Sequence, residues 1–434
     1  MKKRYLMLAL IVLIVSLSFV SASENVSVSN DLEADDSYLS VSDTSVADNV
    51  NNNVNDNQNN AGDNELVSND TTTGNSSSST NDNVADSNSS SNNGAVANNN
   101  SSQQTTPVAK QTPSKIVTKN LSSTYGTQVS YTVKVLDKKN KPIKNQEVVV
   151  TIGTKSVSKF TDAKGVATFT CNCQAGSYVI KYKVGKLTGS NTYKVKNKIT
   201  LTTLNWGLKG DVSKVKLIKK NMPNNAWVKK AVAATKKGIP LLTFKGGKGK
   251  VVFMTAGVHG NELSSQVAAM KMIKHLTDTP IKGTVYIIPF VNVKAISKKV
   301  RYTDKDFNRI AAKSGTIPNK IVKLVVKYKC NAYGDFHTTK PGGVPGKNIV
   351  MGSKGPATQS AKLTNYIAKY CKVNKKIYKY AGEVYPGAIS DNVNKKGIPA
   401  VICEVMLPHN TVTTKTVTTS YNMMKYLLKF NSIL

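Results

Sequence analysis

The chain has 434 residues, 39% of them hydrophobic and 20% charged, with a formal net charge of +35 and five cysteines. Five dispersed cysteines exclude a disulfide framework, and the lack of any apolar stretch to rival the first two dozen residues excludes a multi-span membrane protein. So basic a chain is expected to attract an anionic partner, an anionic cell-wall polymer fitting an exported chain, and no nucleic acid is expected.

The opening MKKRYLMLALIVLIVSLSFVSAS has a basic start, an apolar run from Tyr5 to about Val20 and small residues at Ser21 and Ala22. This predicts a secretory signal peptide over residues 1–22 and a secreted or cell-surface protein, with an uncleaved leader as its one membrane attachment. Residues 23–112 follow as an Asn/Ser/Asp-rich stretch with hardly an aromatic. Such a composition buries too little apolar area to offset chain entropy, which predicts a disordered stalk. Its N-x-Ser/Thr triplets, at Asn25, Asn69, Asn75, Asn88, Asn99 and Asn100, are glycan acceptors in an exported chain.

Over residues 114–196, alternating runs such as QVSYTVKVLD, QEVVVTIG, VATFTCN and YVIKYKV are separated by KKNKP, TDAKG and QAGS. This spacing predicts a small all-β antiparallel sandwich. Cys171 and Cys173 fall on one face of a strand, where a bridge across one residue would be strained. The pieces KPIKNQEVVVTI, FTDAKGVATFT and GSYVIKYKV resemble the bacterial immunoglobulin-like repeats of adhesin-like surface proteins, which implies a spacer or binding role.

Residues 198–434 change to alternating strands and helices. VVFMTAGV, TVYIIPFVN, NAYGDFH, NIVMGS and PAVICEVML read as strands, and NELSSQVAAMKMIKHL, PNKIVKLVVKY, SAKLTNYIAKYC and TSYNMMKYLLKF as helices. The order predicts an α/β domain with a largely parallel, mixed sheet and helices on both faces. Ligands bind beyond the carboxyl ends of the strands in such sheets. His259 follows the first strand, Glu262 opens the next helix and His337 ends a later strand. Two histidines and a glutamate form a ligand set that leaves a tetrahedral zinc one open position. Glu404 lies inside the apolar strand PAVICEVML, where a carboxylate is costly without a partner or a task, and suits a general base. Arginine outside the leader occurs at Arg301 and Arg309 alone, in KKVRYTDKDFNRI, and its rigid fork suits a carboxylate or a developing oxyanion.

HGNE, then R-x-x-x-x-D-x-N-R, then D-F-H, then a late Glu after GIPAVIC resemble the zinc carboxypeptidase superfamily, most closely its succinylglutamate desuccinylase/aspartoacylase branch. The resemblance runs from about Val251 to the C-terminus. It implies one zinc ion (Zn2+) per chain on His259, Glu262 and His337, with Glu404 activating water and Arg301 stabilising the oxyanion. Asn308 and Arg309 would hold a substrate carboxylate, and Asp335 would orient a ligand from behind. YAGEVYPGAISDN resembles the carboxypeptidase loop that carries a substrate-facing tyrosine, with Tyr385 first and Tyr380 second. About thirty residues follow Glu404, so the extra C-terminal domain of aspartoacylases has no counterpart and a more open cleft is expected. The implied substrate is a peptide or an N-acyl amino acid, cut at an amide next to a free carboxylate. The contrasting reading is a non-catalytic, adhesin-like surface protein that grips anionic wall polymer.

Overall fold

A computed structural model describes residues 38–40 and 111–434. The leader, its cleavage site and the glycan triplets lie outside the described residues, as does the stalk apart from 38–40 and 111–112. Among the described residues no helix is long and apolar enough to cross a membrane.

Residues 113–196, joined by the short strand at Tyr38–Ser40, form a two-sheet β sandwich. One sheet has the order β1 (Tyr38–Ser40), β7 (Val166–Asn172), β4 (Val129–Leu136), β2 (Lys115–Val117). The other is β3 (Leu121–Thr124), β9 (Leu187–Lys196), β8 (Gly176–Val184), β5 (Glu147–Ile152), β6 (Lys155–Phe160). Period-two alternation sends Tyr131, Val133, Val135 and Phe169 of the first sheet inward to meet Val148, Val150, Ile180 and Tyr193 of the second in one core. The ladders are antiparallel except for β3 on β9. None of the five cysteines is in a disulfide, and Cys171 and Cys173 are both buried in this core.

The α/β region is built on an eight-stranded sheet in the order β10-β11-β13-β12-β14-β17-β15-β16. The strands are β10 (Lys198–Leu204), β11 (Ile239–Lys245), β12 (Val251–Ala256), β13 (Thr284–Ile288), β14 (Ala332–Thr339), β15 (Ile349–Gly355), β16 (Asn374–Tyr380) and β17 (Ala400–Met406). Its centre, β13-β12-β14-β17, is parallel, as is β15-β16. The joins β10-β11, β11-β13 and β15-β17 are antiparallel, so the sheet is mixed and parallel mainly where the expected strands lie. Three strands escape the sequence reading: β10 and the lysine-rich β16 are polar edge strands, and β11 carries Pro240 at its second position, which masks its buried run IPLLTFK.

The helices are α1 (Lys216–Lys220), α2 (Ala226–Ala234), α3 (Leu263–Asp278), α4 (Val293–Lys298), α5 (Ile317–Lys327), α6 (Gln359–Cys371), α7 (Ile389–Asn394) and α8 (Thr414–Phe430). They cover both faces, because the central strands are apolar on both sides. Val252, Met254 and Phe336 pack with α3, α6 and α8, whereas Phe253 and Tyr333 pack with α5 and α7.

One residue, Asn197, joins β9 of the sandwich to β10 of the large sheet, and it is buried. Its Nδ2 donates to the carbonyls of Leu276 and Thr279 at 2.7 and 2.8 Å, satisfying the C-terminal end of α3, and its Oδ1 accepts from Ile281 N at 3.1 Å. The amide therefore caps a helix that it does not belong to. Asn197→Ala would strand these groups in a buried junction, and chemical denaturation of the variant should show a loss of about 2 kcal/mol.

Candidate active site

The carboxyl end of β12 turns sharply at Gly257, whose φ of +75° suits glycine, and the chain then presents His259 and Glu262. Gly260 is packed so closely that a Cβ there would collide with the backbone of Ala295, Ile296 and Val300. This close approach lets Gly260 N bond the carbonyl of Arg301 at 2.9 Å, fixing the arginine segment against the histidine turn. Gln266 Nε2 reaches back from α3 to the carbonyls of His259 and Gly260. Glu262 sits at the N-cap of α3 without capping it, so its carboxylate is free to face the histidines.

Tyr333, Asp335 and His337 alternate along β14 and share one face of the sheet, and Glu404 lies directly opposite His337 in the β14–β17 ladder. The strand ends thus bring together the residues singled out in the sequence. His259 Nδ1 lies 2.7 Å from Glu262 Oε1, and His337 Nδ1 lies 2.8 Å from Glu262 Oε2. Ligand atoms of His259, Glu262 and His337 all fall within 4.8 Å of one another, and all three residues are buried. Two imidazole nitrogens turned onto one carboxylate form a cluster that can hold a metal ion, which would replace the protons that these groups share.

The outer ring nitrogens are held from behind. His259 Nε2 is 2.9 Å from Asp306 Oδ1, and His337 Nε2 is 3.1 Å from Asp335 Oδ2. Asp335, fully buried, is anchored in turn by Thr255 Oγ1 at 2.7 Å, and Thr255 meets the Tyr333 hydroxyl at 2.5 Å. With Nδ1 given to an ion, His259 Nε2 would carry the proton that Asp306 accepts, whereas His337 Nε2 faces both Asp335 Oδ2 and the Asn308 side-chain amide. Asp335 lies behind His337, on the ring nitrogen turned away from Glu262. Asp306 does the same for His259, and sequence reasoning passed it over. Its signal was present in R-x-x-x-x-D-x-N-R, two residues ahead of Asn308, whose backbone N–H it also caps at 2.9 Å.

The electrostatics follow from this crowding. Burial would push both imidazoles toward the neutral form. The carboxylates of Glu262 and Asp306 outweigh it at His259, as Asp335 and Glu262 do at His337, so both pKa values are raised. Burial likewise opposes ionisation of Glu262 and Asp306, and the adjacent histidines outweigh it and hold both carboxyls well below their ordinary range. Glu404 differs. Burial, reinforced by Glu262 and Asp335 against the pull of the histidines, pushes it up to about 8. Its Oε2 is buried with no hydrogen-bond partner, although the residue borders the cavities below.

Arg301 bonds Glu262 Oε1 at 3.1 Å and lies 3.4 Å from Asp306 Oδ2, with over a third of its side chain open to the cleft. Two cavities meet around Arg301, Val344 and Glu404 and share no other lining residue. The smaller, about 60 Å³, is bordered by Asn308, Arg309, Tyr385, Met351, Ala388 and Ile402. The larger, about 380 Å³, runs along Thr338, Thr339, Lys340 and Gly343 to His409. Arg309 stacks on the Tyr385 ring at 5.5 Å and donates to the carbonyl of Asn308. Tyr380 is 60% exposed and borders neither cavity, which leaves Tyr385 as the tyrosine at the site. Asn308 is occupied: its Nδ2 lies 3.1 Å from His337 Nε2 and its Oδ1 accepts from Ile389 N at 3.3 Å. It therefore steadies His337 at the edge of the small cavity.

Residues 248–314 match the succinylglutamate desuccinylase/aspartoacylase catalytic-domain family. No curated protein matches the chain at a significant level. Among solved structures it is similar to the ectoine utilization protein EutE (DoeB) of Ruegeria pomeroyi, with product bound, at 16% identity and a TM-score of 0.39, over 46% of this chain and 64% of that one. An aspartoacylase family protein of Mesorhizobium loti is 16% identical over 54% of this chain and 68% of its own, with a TM-score of 0.39. Csd4 of Helicobacter pylori, a D,L-carboxypeptidase in its mDAP-bound form, is 14% identical over 43% and 52%, with a TM-score of 0.36. The chain thus spans under two thirds of the EutE protein's length. The matched segment contains His259, Glu262, Arg301, Asp306, Asn308 and Arg309, and over it the chain is similar to the succinylglutamate desuccinylase/aspartoacylase catalytic domain.

Proposed function

We propose that this protein is an exported, surface-associated zinc-dependent amide hydrolase acting next to a free carboxylate, on a C-terminal bond of a cell-envelope peptide first and on an N-acyl amino acid second. One observation carries the reading: the unpartnered Oε2 of Glu404 is buried beside a cavity that also contains Glu262 of the His259–Glu262–His337 cluster and the open face of Arg301. The export part of the reading rests on the leader at residues 1–22, and the sandwich would serve as its immunoglobulin-like spacer.

The donor set fits zinc, since two imidazoles and one carboxylate leave a fourth position for water or substrate. When bound, zinc would supply Lewis acidity to the amide carbonyl and lower the pKa of water. Glu404, once ionised beside the loaded cluster, takes a proton from the attacking water and returns it to the departing amine. Arg301 faces the carbonyl oxygen as it gains charge. In the small cavity Arg309 pairs with the free carboxylate, while Met351, Ala388 and Ile402 leave room for a small apolar side chain. The larger cavity, with Thr338 and Lys340, takes the acyl half.

Removing zinc with a chelator should abolish hydrolysis, and Glu404→Gln should lower kcat by about 10²- to 10⁴-fold. In metal-free protein the same substitution should stabilise the fold. A carboxyl whose folded pKa is raised from 4.5 to about 8 holds its proton in the native state after the unfolded chain has lost it. Stability is therefore full at low pH and falls as pH rises through that window. The melting temperature of metal-free Glu404→Gln should match the parent at pH 4.5 and exceed it at pH 8.5. Equal melting temperatures at pH 8.5 would contradict the buried charge. Asp306→Asn, which keeps the shape behind His259 and removes the charge, should weaken zinc binding by about 10- to 100-fold in a chelator competition.

A further inference from the structure

His409 borders the larger cavity together with Glu404 and Arg301, a location that invites an acid or base role. Its ring nitrogens argue otherwise, because both are engaged. Nε2 lies 3.1 Å from the carbonyl of Thr338, which can only accept, so the proton sits on Nε2. Nδ1 is then a lone pair, and Asn261 Nδ2 donates to it at 3.2 Å. One neutral tautomer satisfies both bonds.

The partners of His409 are placed with consequence. Asn261 stands between His259 and Glu262, and Thr338 follows His337. Thr338 N also donates to Glu262 Oε2 at 3.0 Å, joining the strand end to the glutamate. The residues beside His409 extend the same seam. Leu407 N bonds the Thr339 carbonyl at 2.9 Å, Asn410 N bonds the Asn261 carbonyl at 2.8 Å, and Asn410 Nδ2 reaches the Lys299 carbonyl at 2.9 Å, two residues before Arg301. The loop that follows β17 therefore stitches together the segments carrying all three cluster residues and the arginine.

We propose that His409 is a positioning residue, the neutral pin of a clamp at residues 407–410 that holds the two histidine-bearing segments at metal-binding separation. It rests on the metal-site reading above. The clamp holds backbone and amide groups, so it acts on ligand spacing and transfers no proton.

Glutamine separates the two roles, because its side chain keeps one N–H donor and one acceptor in the sense that neutral His409 uses them, and it cannot serve as an acid or base near neutral pH. Zinc affinity, by chelator competition, and kcat and KM would be measured for the full chain, His409→Ala and His409→Gln. His409→Ala should bind zinc about 10-fold more weakly, and His409→Gln should recover both affinity and kcat. In the pair Asn261→Ala and His409→Ala, the double variant should lose little more affinity than either single one, as expected for two halves of one contact. Unchanged zinc affinity in His409→Ala, or loss of kcat in His409→Gln with zinc affinity intact, would overturn the proposal, the latter by making His409 a catalytic acid or base. If the parent chain takes up no zinc, the metal reading itself fails. Hydrogen exchange of the Thr338 amide then decides the clamp: faster exchange in His409→Ala supports it, and unchanged exchange overturns it.

Discussion

Four carboxylates, Glu262, Asp306, Asp335 and Glu404, crowd around two buried imidazoles at the ends of β12, β14 and β17. Among the described residues, Arg301 is the guanidinium bonded into this group. In a protein interior such an excess of negative charge is costly unless a cation or protons compensate it. The histidines do so in part, which is why their pKa values rise while those of Glu262 and Asp306 fall. Glu404 is left over and responds by holding its own proton. A dication among the three ligand atoms would settle the account with one charge centre, and the arrangement of the strand ends, the Gly257 turn and the Asp335–Thr255–Tyr333 chain all serve to keep those atoms in place. That this occurs in a chain of net charge +35 makes the local inversion of sign a better pointer to the site than the overall basicity.

Much of this was legible in the sequence because the chemistry is carried by scarce residues. Four histidines, two arginines outside the leader and a glutamate inside an apolar strand stand out against a background of lysine. The central strands were legible for a similar reason, being apolar on both faces. What the sequence did not reveal depends on long-range pairing. The partnership of Asp306 with His259 spans 47 residues, and that of Thr255 with Asp335 spans 80. Nothing local to Asn308 says that its amide will be spent on His337 and Ile389 N. The edge strands β10 and β16 alternate polar residues that also suit loops, and nothing local to His409 shows that its two partners lie 71 and 148 positions away.

The fold also separates the site from the sandwich. Glu262 stands at the N-terminal end of α3, and Asn197, at the junction of the two units, grips the carbonyls at its C-terminal end. A helix of sixteen residues puts about 24 Å between them. A second contact, Ala175 N to the carbonyl of Gly246, falls just after β11 and beside the start of β12, again at the end of the sheet opposite the histidines. The cleft thus lies at the end of the sheet opposite these junction contacts.

The account stands or falls on the cation that the carboxylates call for. The most direct test is the zinc content of the purified protein and of its His337→Ala variant, by elemental analysis after exhaustive dialysis. About one zinc per chain in the parent, lost in the variant while the fold is kept, is the predicted result. A folded parent chain that carries no zinc and cannot be reloaded with it would contradict the metal centre and the hydrolase reading built on it.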